Sequence, residues 1–185
     1  MRVARANRTI SMDAVCAIVG MTPINILLEE DCECYRLRGT VGARMIARDD
    51  SMRKWQLAWD SISKGRWTYR LIPNLSLWLD RKHGDVNFFL TQFLLDHGCF
   101  RKYLHRFGHA GSLLYQTCPS CEETPEHVFF DCPRFRTERS VLSAGSASNI
   151  NPENIVQEMY KNENTWNEIG RAVTQIMMSL QRKWR

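Results

Sequence analysis

One short segment, CPSCEETPEHVFFDC at residues 118–132, constrains the chain more than any other feature. It contains three cysteines and one histidine at the spacing C-x2-C-x5-H-x4-C, namely Cys118, Cys121, His127 and Cys132. Three thiolates and one imidazole form a complete tetrahedral ligand set for zinc, which leaves no position for water. A closed site of this kind is structural, and it joins chain segments that bury too little apolar surface to stay together alone.

Other interpretations of these four residues are weaker. Two disulfides cannot be made from three cysteines and one histidine, and a C-x-x-C redox pair is expected beside a βαβ unit that the sequence does not predict. Chance clustering stays open, because the chain has seven cysteines. Thr124 and Pro125 form a helix-start pattern. His127 is therefore predicted in the first turn of a short helix, with Cys132 just after its end.

The charges are distributed unevenly along the chain, whose net charge is +5. Residues 53–109 contain ten basic and four acidic residues, whereas residues 110–132 contain four acidic residues and no lysine or arginine. A basic block therefore precedes an acidic metal loop. Basic blocks favour partners that carry phosphate, although solvated surface charge is the usual alternative.

Length and composition bound the remaining possibilities. The chain has 185 residues, enough for one large or two small domains. No apolar run approaches the roughly 20 residues of a membrane helix, and the amino-terminal sequence lacks a signal-peptide pattern. We therefore expect no membrane partner and no secretion. The odd number of cysteines fits a reducing compartment and metal binding rather than disulfides.

Apolar periodicity predicts a mainly α fold of short helices, with one extended segment, stapled by a small Cys3His zinc knuckle. The predicted helices cover residues 9–20, 22–39, 50–65, 74–84, 85–98, 100–107, 133–145 and 151–160, and a last one begins at residue 165. In the second helix, the apolar residues that share one face and are expected in the core are Ile24, Leu27, Leu28 and Tyr35. In the last helix, the expected core residues are Trp166, Ile169, Val173, Ile176, Met177 and Leu180.

The stretch RWTYRLIP, residues 66–73, is predicted to be the extended segment, because aromatic and apolar side chains alternate with two arginines and a proline ends the run. One side of the segment is expected to carry Trp67, Tyr69 and Leu71, and the other side is expected to carry Arg66 and Arg70. Such interleaving suits single-stranded nucleic acid, whose bases stack on aromatic rings while arginines meet phosphates. The alternative is an edge segment whose aromatic side chains pack on the core.

No complete catalytic motif occurs in the sequence. It contains no G-x-S-x-G nucleophile elbow, no Gly-rich phosphate loop and no H-E-x-x-H helix. Polymerases use paired aspartates to hold two metal ions. The pair Asp49 and Asp50 lies in a helical pattern, however, and we interpret it as a helix N-terminus. No catalytic residue is assigned.

The chain resembles the carboxy-terminal region of the Pol protein of non-LTR (LINE-type) retrotransposons. Two runs carry the resemblance, GRWTYRLIPNLSLWLDRKHGDVNFFLTQFLLDHGCFRKYLHRFG and CPSCEETPEHVFFDCPRF. It is strongest to arthropod elements of the R-one type, which insert into ribosomal RNA genes, and it covers nearly all of residues 5–140. The opening ANRTISMDAVCAIVGMTPINILLEE also resembles the segment that follows the reverse-transcriptase thumb in that group.

In that family the parent polyprotein combines an endonuclease with a reverse transcriptase, an RNA-directed DNA polymerase, and it acts in target-primed reverse transcription. The resemblance implies that the Mg²⁺-dependent catalytic regions lie outside this sequence. It implies a helical segment after the thumb at residues 1–65, a basic helical region with the zinc knuckle at 66–145, and a helical tail at 146–185. The expected partners are element RNA, target DNA and the rest of the polyprotein, which is made in the cytoplasm and acts in the nucleus.

The charge pattern predicts that a structural Zn²⁺ staples basic helices on either side of it. The acidic loop itself should repel phosphate. The expected nucleic-acid contacts are Arg66, Arg70, Arg101, Lys102, Arg106, Arg134, Arg136 and Arg139. The alternative function is a non-enzymatic, zinc-stapled module that binds another protein and not nucleic acid, which the acidic loop and the two amphipathic C-terminal helices permit.

Overall fold

The structure is a computed structural model that describes residues 10–114, 117–145 and 149–182. Within those ranges the chain is mostly helical, and an isolated antiparallel bridge joins Leu114 to Glu122. The helices are α1 Met12–Val19, α2 Ile24–Arg36, α3 Ala43–Asp60, α4 Arg66–Leu71, α5 Leu75–Leu79, α6 Phe88–Leu95, α7 Arg101–Arg106, α8 Arg136–Gly145, α9 Ile155–Tyr160 and α10 Glu163–Gln181. A π-helical turn, His127–Asp131, and a 3-10 turn, Pro133–Phe135, precede α8. The mainly α prediction is confirmed.

Helix α10 is the central packing element of the core. It contacts α6, α8 and α9, while α6 also contacts α1 and α4. The side chain of Asn162 caps α10 by accepting a hydrogen bond from the backbone N–H of Thr165. The predicted core face of this helix is confirmed, since its buried residues include Trp166, Ile169, Val173, Ile176, Met177 and Leu180.

A pair of tryptophans joins α10 to the segment around α5. The ring centroids of Trp78 and Trp166 are 5.9 Å apart, and Trp78 Nε1 donates to the carbonyl of Ile18 at 3.2 Å. Gly84, with φ of 92°, passes so close to Trp166 that a β-carbon at this position would lie 2.2 Å from the ring. The glycine is therefore required by its backbone conformation and by this close approach.

The segment RWTYRLIP is helical, so the prediction of an extended segment is wrong. Its first six residues form α4, which follows Gly65 and ends before Pro73. Thr68 Oγ1 donates to the carbonyl of Leu94 at 2.8 Å, and Trp67 Nε1 donates to that of Phe93 at the same distance. A short apolar and aromatic run fits a strand or a helix almost equally well by periodicity, and docking on α6 decides between them.

The adjacent aspartates lie inside a helix, so their interpretation as a helix N-terminus is wrong. Helix α3 begins at Ala43, after Gly42 in a left-handed conformation. Asp50 forms ion pairs with Arg53 and with Lys54, the latter at 3.1 Å. Carboxylates tolerate a helix interior when cations lie three and four residues later on the same surface.

Helix α2 presents its apolar stripe to the surface, so the prediction that this stripe packs in the core is wrong. The opposite side meets α3 through Ile26, which is 4% exposed, and through Glu30, which pairs with Arg48 at 3.1 Å. Periodicity shows that a helix has an apolar face but not whether a neighbour covers it. The stripe residues, between 38% and 74% exposed, are Ile24, Leu27, Leu28 and Tyr35.

Two further expectations concern membranes and the linker. Among the described residues no single helix is long and apolar enough to cross a membrane, and α1 and α2 reach that length and composition only together, across a bend of 63°. The linker predicted around GSASNI falls largely on residues 146–148, which lie outside the described residues. The predicted division at residues 65 and 145 stays a prediction.

Asp96 ends α6 in an unusual conformation. Its φ of 54° is the one positive value at a non-glycine residue in the described chain. The carboxylate is largely buried, and no hydrogen-bond donor within the described ranges reaches its Oδ1. Burial raises the pKa of Asp96 to about 7, against the opposing effect of Lys102 and Arg106. The charged form is therefore disfavoured in the folded chain.

The orientation of α2 can be tested with two alanine substitutions. We expect Ile26→Ala to lower the free energy of unfolding by about 2–4 kcal/mol, because it removes a buried side chain. We expect Leu28→Ala to lower it by less than about 0.5 kcal/mol, because its side chain is exposed. Urea denaturation followed by circular dichroism measures both, and equal losses would contradict the outward stripe.

Asp96 should also make stability depend on pH. Because its folded pKa lies above the ordinary value of 3.8, the folded state holds the proton more tightly, and stability should fall as pH rises from about 4 to about 7. Asp96→Asn, which suits the left-handed conformation, should be more stable than the wild type at high pH by on the order of 2–4 kcal/mol and similar to it near pH 4. Other charged or titratable groups around the same cavity are present in both proteins: Lys64, Arg66, His97, Lys102, Tyr103 and Arg106.

Denaturation at the two pH values checks this expectation. Asp31→Asn, at an exposed position on α2, is the matched control, and we expect it to leave the difference between the pH values unchanged. An Asp96→Asn variant that tracks the wild type at both pH values would show that the carboxylate is solvated in the folded chain.

Candidate functional site

The predicted metal loop consists of a tight turn followed by a π-helical turn. The backbone N–H of Cys121 donates to the carbonyl of Cys118 at 2.9 Å, and that of Cys132 donates to His127 at 2.7 Å. Thr124 Oγ1 accepts from the N–H of His127 at 3.2 Å, which confirms the predicted helix start. The hydrogen bond from Cys132 to His127 spans five residues, as in a π-helix, and Cys132 lies directly after the end of the turn.

Three of the four predicted ligands meet. The ligand atoms of Cys118, His127 and Cys132 all lie within 4.8 Å of one another, so these residues could hold a metal ion. The two sulfur atoms are 3.8 Å apart. Two thiolates on a tetrahedral zinc, each about 2.3 Å from the metal, would be separated by about 3.8 Å, whereas a disulfide needs about 2.05 Å. Cys121 shares the turn with Cys118, but its sulfur is not in this group and lies 3.9 Å from Ser120 Oγ.

The electrostatics of the loop suit a cation. Burial, and then the neighbouring thiols of Cys132 and Cys121, raise the pKa of Cys118, because adjacent thiolates repel one another. A bound divalent ion would reverse that effect by stabilising the thiolates. Burial, and then Arg139, lower the pKa of His127, while Asp131 opposes them. The neutral imidazole is the form that binds metals.

The loop is anchored to the core through its own apolar residues. Val128 and Phe129 are buried, and the ring centroid of Phe129 lies 4.3 Å from that of Phe93 on α6. Cys132 is fully buried, and its carbonyl accepts from Arg139 of α8 at 2.6 Å. The metal loop is thus held between α6 and α8.

The buried carboxylate of Glu123 joins the loop to α7, a role that the sequence did not reveal. Its Oε1 accepts from the N–H of Arg101 at 3.0 Å, and its own carbonyl accepts from the N–H of Lys102 at 3.3 Å. A carboxylate is favoured beside the exposed N–H groups that begin a helix. Nothing in the sequence distinguishes Glu123 from Glu122, because the two are identical neighbouring residues of the same acidic loop.

Other acidic residues of the loop pair with predicted nucleic-acid contacts. Lys102 lies 2.7 Å from Glu122, and Arg70 lies 2.8 Å from Glu126 and 2.6 Å from Glu153. The acidic loop therefore neutralises neighbouring cations within the fold. Exposed pairs of this kind contribute little stability, so a phosphate can compete with them.

Other predicted contacts also hold the fold together. Arg134 donates to Ser179 Oγ at 2.7 Å, and Arg101 Nε donates to the carbonyl of Ser112 at 3.1 Å. Among the predicted contacts, the arginines that are exposed are Arg66, Arg106 and Arg136. The structure brings Arg66, Lys102 and Arg106 to one cavity, whereas Arg134, Arg136 and Arg139 lie on the 3-10 turn and α8.

Comparison with known proteins agrees with the sequence motifs. No family model and no solved structure matches the chain. The chain is similar to a protein of Nasonia vitripennis described as "Retrovirus-related Pol polyprotein from type-1 retrotransposable element R1 4", with 27% identity over 165 residues. The match covers 76% of this chain and 40% of that protein, so the chain spans less than half of its relative's length. This similarity confirms the resemblance of the chain to the Pol polyproteins of arthropod R1-type non-LTR retrotransposons.

Proposed function

We propose that the chain is the C-terminal nucleic-acid-binding part of a retrotransposon Pol protein. Its parent polyprotein would be a reverse transcriptase with an endonuclease, acting in the nucleus in target-primed reverse transcription. The observation that carries the proposal is the gathering of Arg66, Lys102 and Arg106 around one cavity. Clustered cations bind the phosphate backbone of RNA or DNA with little dependence on sequence.

The metal in this proposal is a structural zinc ion. Cys118, His127 and Cys132 would bind it, and Cys121, on the same turn as Cys118, would be the fourth ligand. A zinc ion with four protein ligands supplies folding free energy rather than chemistry. It would fix the loop whose Glu123 begins α7, and so fix the basic side chains of that helix.

The eight predicted nucleic-acid contacts would divide into two groups. Arg66, Arg106 and Arg136 are exposed and available for direct phosphate contacts. The others are engaged within the fold and would contribute by positioning or after exchange of a partner: Arg70, Arg101, Lys102, Arg134 and Arg139. Mg²⁺ would act only in the polymerase and endonuclease regions of the parent.

The zinc site can be tested by metal analysis of the purified chain. We expect about one zinc ion per folded chain, and we expect a chelator to lower both the helical circular dichroism signal and the melting temperature. Cys132→Ser should lose the metal, whereas Cys32→Ser, at an exposed thiol on α2, should retain it. Metal-free wild-type protein with unchanged stability in chelator would refute the zinc site.

Nucleic-acid binding can be tested by titration at two salt concentrations. We expect Arg66→Gln/Arg106→Gln to weaken binding to RNA and DNA and to reduce the salt slope by roughly 0.7–0.9 for each phosphate that the variant no longer neutralises. The control Arg36→Gln/Arg53→Gln removes the same charge from α2 and α3, at side chains 76% and 70% exposed. If both double variants change binding equally, net charge rather than this surface is responsible.

A second candidate function is binding of another segment of the Pol polyprotein by the apolar stripe of α2. The exposed Ile24, Leu27, Leu28 and Tyr35 favour it, because stripes of this kind mark interaction sites. The match covers 40% of the related polyprotein, so the remainder of a parent polyprotein of that kind would be the source of such a segment. This candidate shares protein binding with the alternative function given by the sequence, but it does not exclude nucleic-acid binding.

Co-purification with the separately produced remainder of the parent polyprotein tests this candidate. We expect Ile24→Ser/Leu28→Ser to reduce capture. The control Leu57→Ser/Leu77→Ser alters two leucines of similar exposure on α3 and α5. Equal capture by the wild type and both variants would rule out the α2 stripe as the contact.

A further inference from the structure

A cavity of about 460 Å³ lies where three parts of the chain meet. They are the beginning of α1, the connection between α3 and α4, and the corner between α6 and α7. The volume falls in the range of about 300–1,000 Å³ that small-ligand sites occupy. None of the predicted metal ligands lines this cavity, so it is separate from the metal loop.

Four basic side chains line the cavity: Lys64, Arg66, Lys102 and Arg106. Lys102 already pairs with Glu122 at 2.7 Å. Within the described ranges no acidic side chain forms an ion pair with Arg66 or Arg106. The Arg66 guanidinium lies 4.2 Å from the centre of the Tyr69 ring and donates to two carbonyls at and just after the end of α3. The rim is therefore positively charged and suited to a phosphate group.

Two aromatic side chains, Trp67 and Tyr103, form walls of the cavity, and contacts with neighbouring side chains hold both in place. The Trp67 indole donates to the carbonyl of Phe93 and meets the Phe93 ring edge-on, with centroids 6.0 Å apart. The Tyr103 ring lies 4.5 Å from His97 and 4.9 Å from Phe107. Both aromatic walls are only partly buried. Flat, fixed rings of this kind are stacking surfaces for nucleobases.

The third feature is Asp96, which lines the same cavity. Its buried Oδ1 has no hydrogen-bond donor within the described ranges. An unsatisfied buried acceptor costs free energy unless a ligand supplies the donor. The left-handed conformation of this residue adds to that cost, and such strain clusters at ligand sites. The exocyclic amino group of a nucleobase, such as N4 of cytosine, is a donor that carboxylates accept.

We propose that this cavity binds one unpaired nucleotide of a single strand and prefers a base with an exocyclic amino group. The phosphate lies against Arg66 and Arg106, the base stacks on Trp67 or Tyr103, and its amino group donates to the Asp96 carboxylate. This inference rests on the proposed nucleic-acid-binding function and adds to it a subsite with base preference. Phosphate contacts alone would give no such preference.

Cytosine and uracil provide the sharpest test, because they have the same size and differ on one edge: cytosine has a 4-amino donor and an N3 acceptor, whereas uracil has a 4-carbonyl acceptor and an N3–H donor. We would measure binding of short oligocytidylate and oligouridylate of equal length by fluorescence anisotropy, at a pH above the Asp96 pKa of about 7. We expect the full chain to prefer oligocytidylate by about fivefold or more. Asp96→Asn should reduce the preference to within about twofold, because the amide can also donate to the uracil carbonyl. The control Asp31→Asn should retain the wild-type preference.

The outcomes separate this inference from the function on which it rests. If the wild type binds neither oligonucleotide in a salt-dependent manner, the nucleic-acid-binding function is overturned and the subsite with it. If it binds both equally, or if Asp96→Asn keeps the preference, the subsite alone is overturned. Competition of the wild type with CMP and with UMP needs no variant, and an equal effect of both nucleotides would also overturn the subsite.

Discussion

The arrangement of the basic surface depends on one buried contact, between the Glu123 carboxylate and the first N–H group of α7. Helix α7 has six residues and no side-chain cap of its own, so it is too short to be stable without tertiary support. Glu123 is held in turn by its N–H, which donates to the carbonyl of Leu113 at 3.1 Å. The loop that carries the candidate metal ligands therefore also determines where Lys102 and Arg106 project.

Ion pairs within the fold neutralise some cations of this surface and not others, which the net charge does not describe. The acidic residues Glu122 and Glu126 form ion pairs with Lys102 and Arg70. Arg66 and Arg106, which line the cavity beside α4 and α7, form no ion pair with an acidic side chain of the described residues. These two arginines therefore lie at the same cavity as the aromatic walls. Charges concentrated at a cleft attract an oppositely charged ligand more strongly than charges spread over a face, which is the basis of the proposed nucleotide site.

Two helices with similar sequence patterns were predicted with opposite success. Helix α10 buries its predicted face because it lies between α6, α8 and α9. Helix α2 has an equally regular stripe, yet it packs on α3 through Ile26 and Glu30, on its other side. The sequence of each helix specifies amphipathicity, and only the surrounding chain specifies which face is covered. The prediction of an extended RWTYRLIP segment was wrong for a related reason. Its local pattern is ambiguous, and hydrogen bonds to the end of α6 favour the helix.

The sequence by itself determined the helical class, the periodic core face of α10, the family resemblance and the candidate metal loop, because these depend on spacing along the chain. The tertiary structure decided which charges face one another and which acceptors are buried, because those depend on residues far apart in sequence. Glu123 beside Arg101 and Arg70 between Glu126 and Glu153 are such cases. The cavity at Asp96 is another, since its cations and aromatic rings come from α4, the residues just before it, and α7, which are far apart in the sequence.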